Sequence, residues 1–462
     1  MSTTAKLISP IDGSIYAERE YAPTVVITNA LNLAQRAQKS WRLVPIDERA
    51  RYCTAMVEAV IAMSDAIVPE LAWQMGRPVR YGAGEMRGFA ERARYMIGIA
   101  PEALAAIEPT PIPSFRRYIR REPVGVVFAI APWNYPYLTA VNVVIPALMA
   151  GNTLILKHAT QTLLVGERLA DAARHAGLPP GVFQNLVLNH AQAAAIIESG
   201  QVQHVHFTGS VAGGRSMAAL AAKRFVGLGV ELGGKDPAYV RADADLEHAV
   251  ENLVDGSFFN SGQSCCGIER IYVHQSLYRP FLERFEALTY DYVLGNPIEQ
   301  ATTLGPLVSA QAAAAVQSQI DAAVASGAQT LIDSTRFKAP DGGAYMRPQV
   351  VIDVHHSMTL MREENFGPVV GIMAVADDAE AVALMNDSDY GLTASIWTRD
   401  LGGAEAIGDQ LETGTVFMNR CDYLDPALAW TGVKDTGRGA SLSRIGYEAL
   451  TRPKSFHLRQ LS

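Results

Sequence analysis

From Val124 onward, short uninterrupted apolar runs alternate with longer helical stretches, and this alternation restricts the chain to folds built on a parallel sheet. A strand buried on both faces reads as a continuous apolar run, and its parallel neighbour is reached through a crossover, usually a helix. Runs at 124–130, 153–156, 185–188, 204–207 and 225–231 have this character, with helices predicted over 136–150, 161–176, 191–199 and 211–222. After Asp236-Pro237-Ala238-Tyr239-Val240 the alternation starts again, with strands at 268–273, 329–332, 349–352 and 369–375 and helices near 245–260, 276–289 and 309–326. The predicted class is therefore α/β, with two doubly wound lobes. Helical periodicity precedes them over 24–43, from Ile46 with Asp47 as a cap, up to a stop at Gly76, and over 82–106. A chain of 462 residues suits roughly three lobes.

Residues 123–156 carry no charged side chain, which raises the question of a membrane span. Pro132, Pro136, Pro146, Asn134 and Asn142 interrupt the run, so a buried strand, a turn and a buried helix explain it better. The net charge of −8 argues against a nucleic-acid partner, which needs a basic face. Phe115-Arg116-Arg117-Tyr118-Ile119-Arg120-Arg121 is locally basic and alternates, as an exposed or intersubunit strand would. The terminal run Pro453–Arg459 reads as a lone strand that pairs with a distant segment or with another subunit. Cys53, Cys265, Cys266 and Cys421 match neither a disulfide framework nor a metal site. Together with an N-terminus that lacks an apolar core region, this points to the cytoplasm.

Ligands of open α/β sheets bind beyond the carboxyl ends of the strands. Several polar motifs fall at such ends: Pro132-Trp133-Asn134-Tyr135-Pro136, Lys157, Thr208-Gly209-Ser210 and Glu231. Glu231 lies 34 residues before Cys265, in Glu231-Leu232-Gly233-Gly234-Lys235. A thiol and a carboxylate suit a two-step acyl transfer if the fold brings them together. Taken alone, Cys265 also reads as an inert core cysteine, Glu231 as a surface charge and Asn134 as a helix cap.

In chain order, these motifs and Gly262-Gln263-Ser264-Cys265, Glu364-Asn365-Phe366-Gly367-Pro368 and Gly432–Gly439 resemble the aldehyde dehydrogenase superfamily, over about two-thirds of the chain. The likeness is nearest to short bacterial members of the succinate-semialdehyde type. It implies an aldehyde dehydrogenase-like fold: a dinucleotide-binding lobe (1–103 and 123–233), a catalytic lobe (234–440) and a small β element for oligomerisation (104–122 and 441–462). It implies that Cys265 is the nucleophile, that Asn134 and the Cys265 backbone N–H hold the oxyanion, and that Glu231 activates water. Oxidation would run through a thiohemiacetal and a thioester. A cysteine of ordinary pKa is only partly thiolate at neutral pH, so its environment must help. Cys266 reads as packing. Cofactor contacts would come from Ile130, Trp133, Lys157, Thr160, Gly209, Ser210, Leu232, Glu364 and Phe366, without a Gly-x-Gly-x-x-Gly fingerprint. The partners implied are a small aldehyde and further copies of the chain, as a homodimer or homotetramer, with no metal and no membrane.

Three departures bear on specificity. The family often has glutamate where this chain has Thr160, and an uncharged residue there predicts use of NADP as well as NAD. Succinate-semialdehyde members usually carry an arginine eight residues after the oxyanion asparagine, where this chain has Asn142. That loss argues against a distal carboxylate on the substrate unless Arg420 substitutes, while Asp422 and Asp425 favour a cationic aminoaldehyde. A CoA-acylating relative is the runner-up reading, opposed by the carboxylate at Glu231. A non-catalytic binding protein on the same fold is a third.

Overall fold

A computed structural model describes residues 3–340 and 343–461. The first sheet has the order 437–438, 227–231, 204–208, 126–131, 153–158, 183–185. Its members are parallel except Gly437–Arg438, which joins antiparallel against Val230 and Glu231. The chain winds outward from Val126–Ala131 through Thr153–His158 to Phe183–Asn185, then returns to His204–Thr208 on the other side. The winding therefore reverses between Val126–Ala131 and His204–Thr208, and a crevice opens beyond their carboxyl ends. The second sheet has seven strands in the order 329–330, 349–352, 369–375, 268–274, 236–240, 393–397, 415–418.

The charge-free run resolves into a buried strand, Val126–Ala131, the helix Pro136–Met149 and the buried strand Thr153–His158. Nearly every side chain of that helix is buried, so it can afford no charge. Each buried Val, Ile or Leu contributes about 1.5–3 kcal/mol. The indole of Trp41 donates to the Leu148 carbonyl at 3.0 Å, fixing the helix Thr24–Trp41 against it. No helix among the described residues is long and apolar enough to cross a membrane.

Several expectations need correction. Asp47 does not cap: it lies in the first turn of Ile46–Ala62, where a carboxylate favours the positive helix end, and no side chain caps that helix. The strand expected at 185–188 runs over Phe183–Asn185, and 329–332 shortens to Gln329–Thr330. Gly76 does end the third helix, with φ 83°. The antiparallel pair Thr4–Ile8 and Ile15–Glu20 has mostly exposed side chains and gave no apolar signal. Pro453–Arg459 finds its partner within the chain: Thr451–Arg459 pairs antiparallel with Phe115–Pro123 over nine residues. Tyr118 stacks on Phe456 at 4.5 Å between centroids in this two-stranded arm.

Candidate active site

The two sheets are joined by a short passage. Strand Gly227–Glu231 leaves the first sheet at Glu231, and Asp236 opens a strand of the second. Cys265 lies just ahead of Ile268–His274, so both residues sit where the carboxyl edge of one sheet meets the start of the other.

After the helix Leu246–Phe258, Asn260, Ser261 and Gly262 are consecutively left-handed, with φ 54°, 55° and 71°. Such a conformation costs about 1–3 kcal/mol at a non-glycine residue, so surrounding contacts must hold it. Asn260 Nδ2 lies within bonding reach of the carbonyls of Gln263 (3.1 Å) and Asn134 (3.3 Å), and Ser261 Oγ donates to Gly305 O at 2.9 Å. Gln263 Oε1 accepts from the Val308 amide at 2.8 Å. A Cβ on Gly262 would run into the Gly367 carbonyl, so only glycine fits there. The Gly262-Gln263 pair of the motif is thus the turn that presents Cys265.

Asn134 is buried, and its Nδ2 donates to Gln263 O at 3.3 Å. It does not cap the next helix, which begins after Tyr135 without a side-chain cap. Its own carbonyl accepts from Arg77 Nη2 at 2.6 Å. Arg77 pairs with buried Glu85, which in turn accepts from the Tyr137 amide at 2.9 Å, and its guanidinium lies 4.4 Å from the Tyr135 ring centroid.

Two cavities meet at this junction. The larger, about 380 Å³, is lined by Arg77, Arg92, Tyr135, Asn142, Cys266 and Asp422 among others. The smaller, about 200 Å³, is lined by Trp133, Asn134, Gly209, Ser210, Glu364 and Phe366 among others. Thr139, Thr208, Glu231, Leu232 and Cys265 line both.

The two adjacent cysteines are not equivalent. Cys265 is half-buried at the junction, whereas Cys266 is buried and donates its thiol to Asp422 Oδ1 at 2.9 Å. Hydrogen bonding toward Cys265, burial and the Asp422 carboxylate all push the Cys266 thiol well up, which keeps it protonated. Glu231 is pushed above the usual carboxylate range by burial, with Ser441, Thr208 and Arg92 opposing.

In the smaller cavity the carboxyl of Glu364 accepts from the Gly234 amide at 3.1 Å. Burial and nearby Glu269 push it up to about 8, so at neutral pH it can both donate and accept. A Cβ on Gly233 would strike that carboxyl, which explains one of the two glycines after Glu231. Phe366, at φ 54°, meets Trp133 edge-on at 5.5 Å. Ile130 and Lys157 are register partners at the ends of adjacent strands, and Thr160 opens the turn beyond. These three extend the same sheet edge but do not line the smaller cavity. Lys157 is buried, burial alone depresses its pKa, and it forms no ion pair among the described residues. An unpaired buried ammonium, a neutral acid and the start of the helix Val211–Ala222 along one crevice fit a dinucleotide.

Arg92 was not singled out in the sequence. It lies on the buried stripe of Val79–Ala103 with Met86, Phe89 and Met96, so a cation among apolar positions was the available signal. Its Nη1 donates to Leu138 O at 2.9 Å and reaches Asn142 Oδ1 at 3.4 Å, and it forms no ion pair among the described residues. Arg420, by contrast, is exposed over the Tyr423 ring and lies outside the larger cavity, as does exposed Asp425. Asp422 does line it.

The aldehyde dehydrogenase family model matches residues 1–456. The chain is 33% identical to succinate semialdehyde dehydrogenase Sad of Escherichia coli K12, an enzyme named for NAD(P)+, over 96% of each chain. It is similar to the crystal structure of an aldehyde dehydrogenase from Brucella melitensis biovar abortus, with TM-score 0.95 and 30% identity over 100% of this chain and 95% of that one. PnpE in complex with nicotinamide adenine dinucleotide superposes with TM-score 0.94 and 30% identity, covering 99% of this chain and 94% of that chain.

Proposed function

The chain belongs to the aldehyde dehydrogenase family and is an NAD(P)-dependent aldehyde oxidoreductase, and we propose that Cys265, Asn134 and Glu231 carry its chemistry. The observation behind this reading is that Cys265 and Glu231 line both cavities, one suited to the aldehyde and the other to the nicotinamide end of the cofactor. Cys265 Sγ attacks the carbonyl carbon, and the oxyanion is held by Asn134 Nδ2 and the Cys265 N–H. Bound NAD(P) supplies the hydride acceptor. Glu231 then takes a proton from the water that attacks the thioester, and Cys265 leaves as thiolate. Asn134→Ala is expected to lower kcat by roughly 10²–10³-fold, the usual loss for one oxyanion donor. A drop below threefold removes Asn134 from the mechanism.

The proposed substrate is an aldehyde with a distal carboxylate, and Arg92 carries that reading. Arg92 feels Glu231 and Asp422 across the cavity but contacts no carboxylate among the described residues. A buried guanidinium lacking a direct ion-pair partner is costly unless a substrate carboxylate supplies one. Arg92 reaches Asn142, the position where the succinate-semialdehyde type usually keeps its arginine, so the cation arrives from another helix. Asp422 is the feature that favours a cationic aminoaldehyde instead, but its carboxylate already accepts from Cys266 and Ser264. Arg92→Met is expected to cut kcat/KM for succinate semialdehyde roughly 10- to 100-fold, mostly through KM, and to spare an uncharged aldehyde of similar length. Equal losses on both aldehydes, or a wild-type preference for an aminoaldehyde, contradict the assignment.

Thr160 and Lys157 together favour acceptance of a 2′-phosphate, so comparable kcat/KM values are expected with NAD and NADP. Thr160→Glu should depress NADP use at least tenfold more than NAD use, by placing a carboxylate against the phosphate. A thousandfold preference of the parent enzyme for NAD contradicts this. The arm formed by Phe115–Pro123 and Thr451–Arg459, which falls in the segments 104–122 and 441–462 except for Pro123, is the proposed contact for a homodimer or homotetramer. Four free cysteines support a cytoplasmic location.

A further inference from the structure

The parallel register of His204–Thr208 with Gly227–Glu231 sets Thr208 beside Glu231, His206 beside Gly229 and His204 beside Gly227. Alternate residues of a strand share a face, so the two imidazoles and the Thr208 hydroxyl stand in one row that ends at the carboxylate. The glycines opposite make the room. A Cβ on Gly229 would lie 3.3 Å from His206 Nδ1, and one on Gly227 would lie 2.8 Å from His204 Nδ1.

Thr208 Oγ1 donates to Glu231 Oε2 at 3.4 Å. The other oxygen, Oε1, stands 3.5 Å from His206 Nε2. Both atoms are buried, and neither has a hydrogen-bond partner elsewhere. Two buried polar atoms that face each other are costly unless they pair. Contacts to a general base are often long before substrate binds and tighten in the complex.

We propose that His206 is a positioning residue for Glu231: its neutral imidazole donates Nε2–H to Oε1, so that Thr208 and His206 hold the carboxylate at two points. Burial pulls His206 down to about 4, which leaves it neutral across the working range. Glu231 is also faced by Arg92 from Val79–Ala103, by Ser441 and by Cys265; the titratable neighbour of His206 along its own strand is His204. Oε1 has no hydrogen-bond partner, and the buried Ser441 Oγ, which also favours the ionised carboxylate, has none either, so Ser441 is the competing donor to Glu231. A neutral donor favours the ionised carboxylate, so its removal moves Glu231 further up, and the acid limb of hydrolysis moves to higher pH.

This inference rests on Glu231 acting as the base of the hydrolytic half-reaction. The test mixes full-length enzyme rapidly with NAD(P) and saturating aldehyde over a range of pH, recording the reduced-cofactor burst and the steady rate. His206→Ala is expected to slow the steady rate about tenfold, to leave the burst amplitude within twofold, and to shift the acid limb upward. His206→Gln, which can still donate, should recover most of the rate. Gly229→Ala crowds the imidazole without deleting it and should shift the same limb, which keeps the test open if His206→Ala fails to fold. If these variants leave rate and limb unchanged while Glu231→Gln loses hydrolysis, the role of His206 is overturned and that of Glu231 stands. If Glu231→Gln itself hydrolyses normally, the underlying reading fails. Loss of burst and steady rate together, with lost cofactor binding, makes His206 a packing residue and overturns the proposal.

Discussion

Cys265→Ser is expected to lower aldehyde-dependent NAD(P) reduction by at least about 10³-fold, whereas Cys266→Ser should stay within about threefold of the parent. A serine hydroxyl at Cys265 has no base placed to activate it for the first attack, since Glu231 is assigned to water. The two neighbours differ through their surroundings rather than through the motif. Cys265 lines both cavities, while the Cys266 thiol is buried and donates to Asp422. A serine at 266 can donate to the same carboxylate, so little is lost there. Equal effects of the two substitutions would undo the assignment of the nucleophile.

Glu231→Gln is the second large effect. General-base removal costs about 10²–10⁴-fold, and here it should fall on hydrolysis alone, so that a burst of reduced cofactor survives while steady turnover collapses. Burial raises Glu231, so the hydrolytic rate rises with pH through that elevated value and is lost below it. The linkage to stability has the opposite sign. A carboxyl whose folded pKa exceeds its unfolded value binds protons more tightly when folded, so its contribution is present at low pH and fades as pH rises. The acid limb of the parent should therefore lie above the ordinary glutamate range and disappear in Glu231→Gln. A retained limb points to another titrating group.

The parts of this site that could be read from the sequence are those in which local chemistry and global fold agree. Val126–Ala131 and Thr153–His158 are buried on both faces and His204–Thr208 over its first three residues, so apolar runs announced them and their polar ends followed. Gly262 and Gly233 could be recognised as motif glycines, but their reasons, the Gly367 carbonyl and the Glu364 carboxyl, come from distant segments. Beyond residue 375 the signal fades: Asp378–Asn386 is short, and Thr393–Trp397 follows a two-residue strand rather than a clear turn. Arg77, in the turn between Ser64–Met75 and Val79–Ala103, and Arg92, on the latter helix, reach the site from the far N-terminal part of the chain, and no spacing relates them to Cys265. His206 is hidden differently, since a histidine inside an apolar run reads as a core residue until the register brings Glu231 beside it.

The central claim is that the acyl group passes through Cys265 and that Glu231 directs its hydrolysis. It is tested most directly by acid-quenching Glu231→Gln seconds after mixing with aldehyde and NAD(P), then mapping acylated residues by mass spectrometry. One acyl group per burst equivalent of reduced cofactor is expected on Cys265, and the adduct should persist when Cys266 is also replaced by serine. Reduced cofactor formed without an adduct, or an adduct confined to Cys266, would contradict the account.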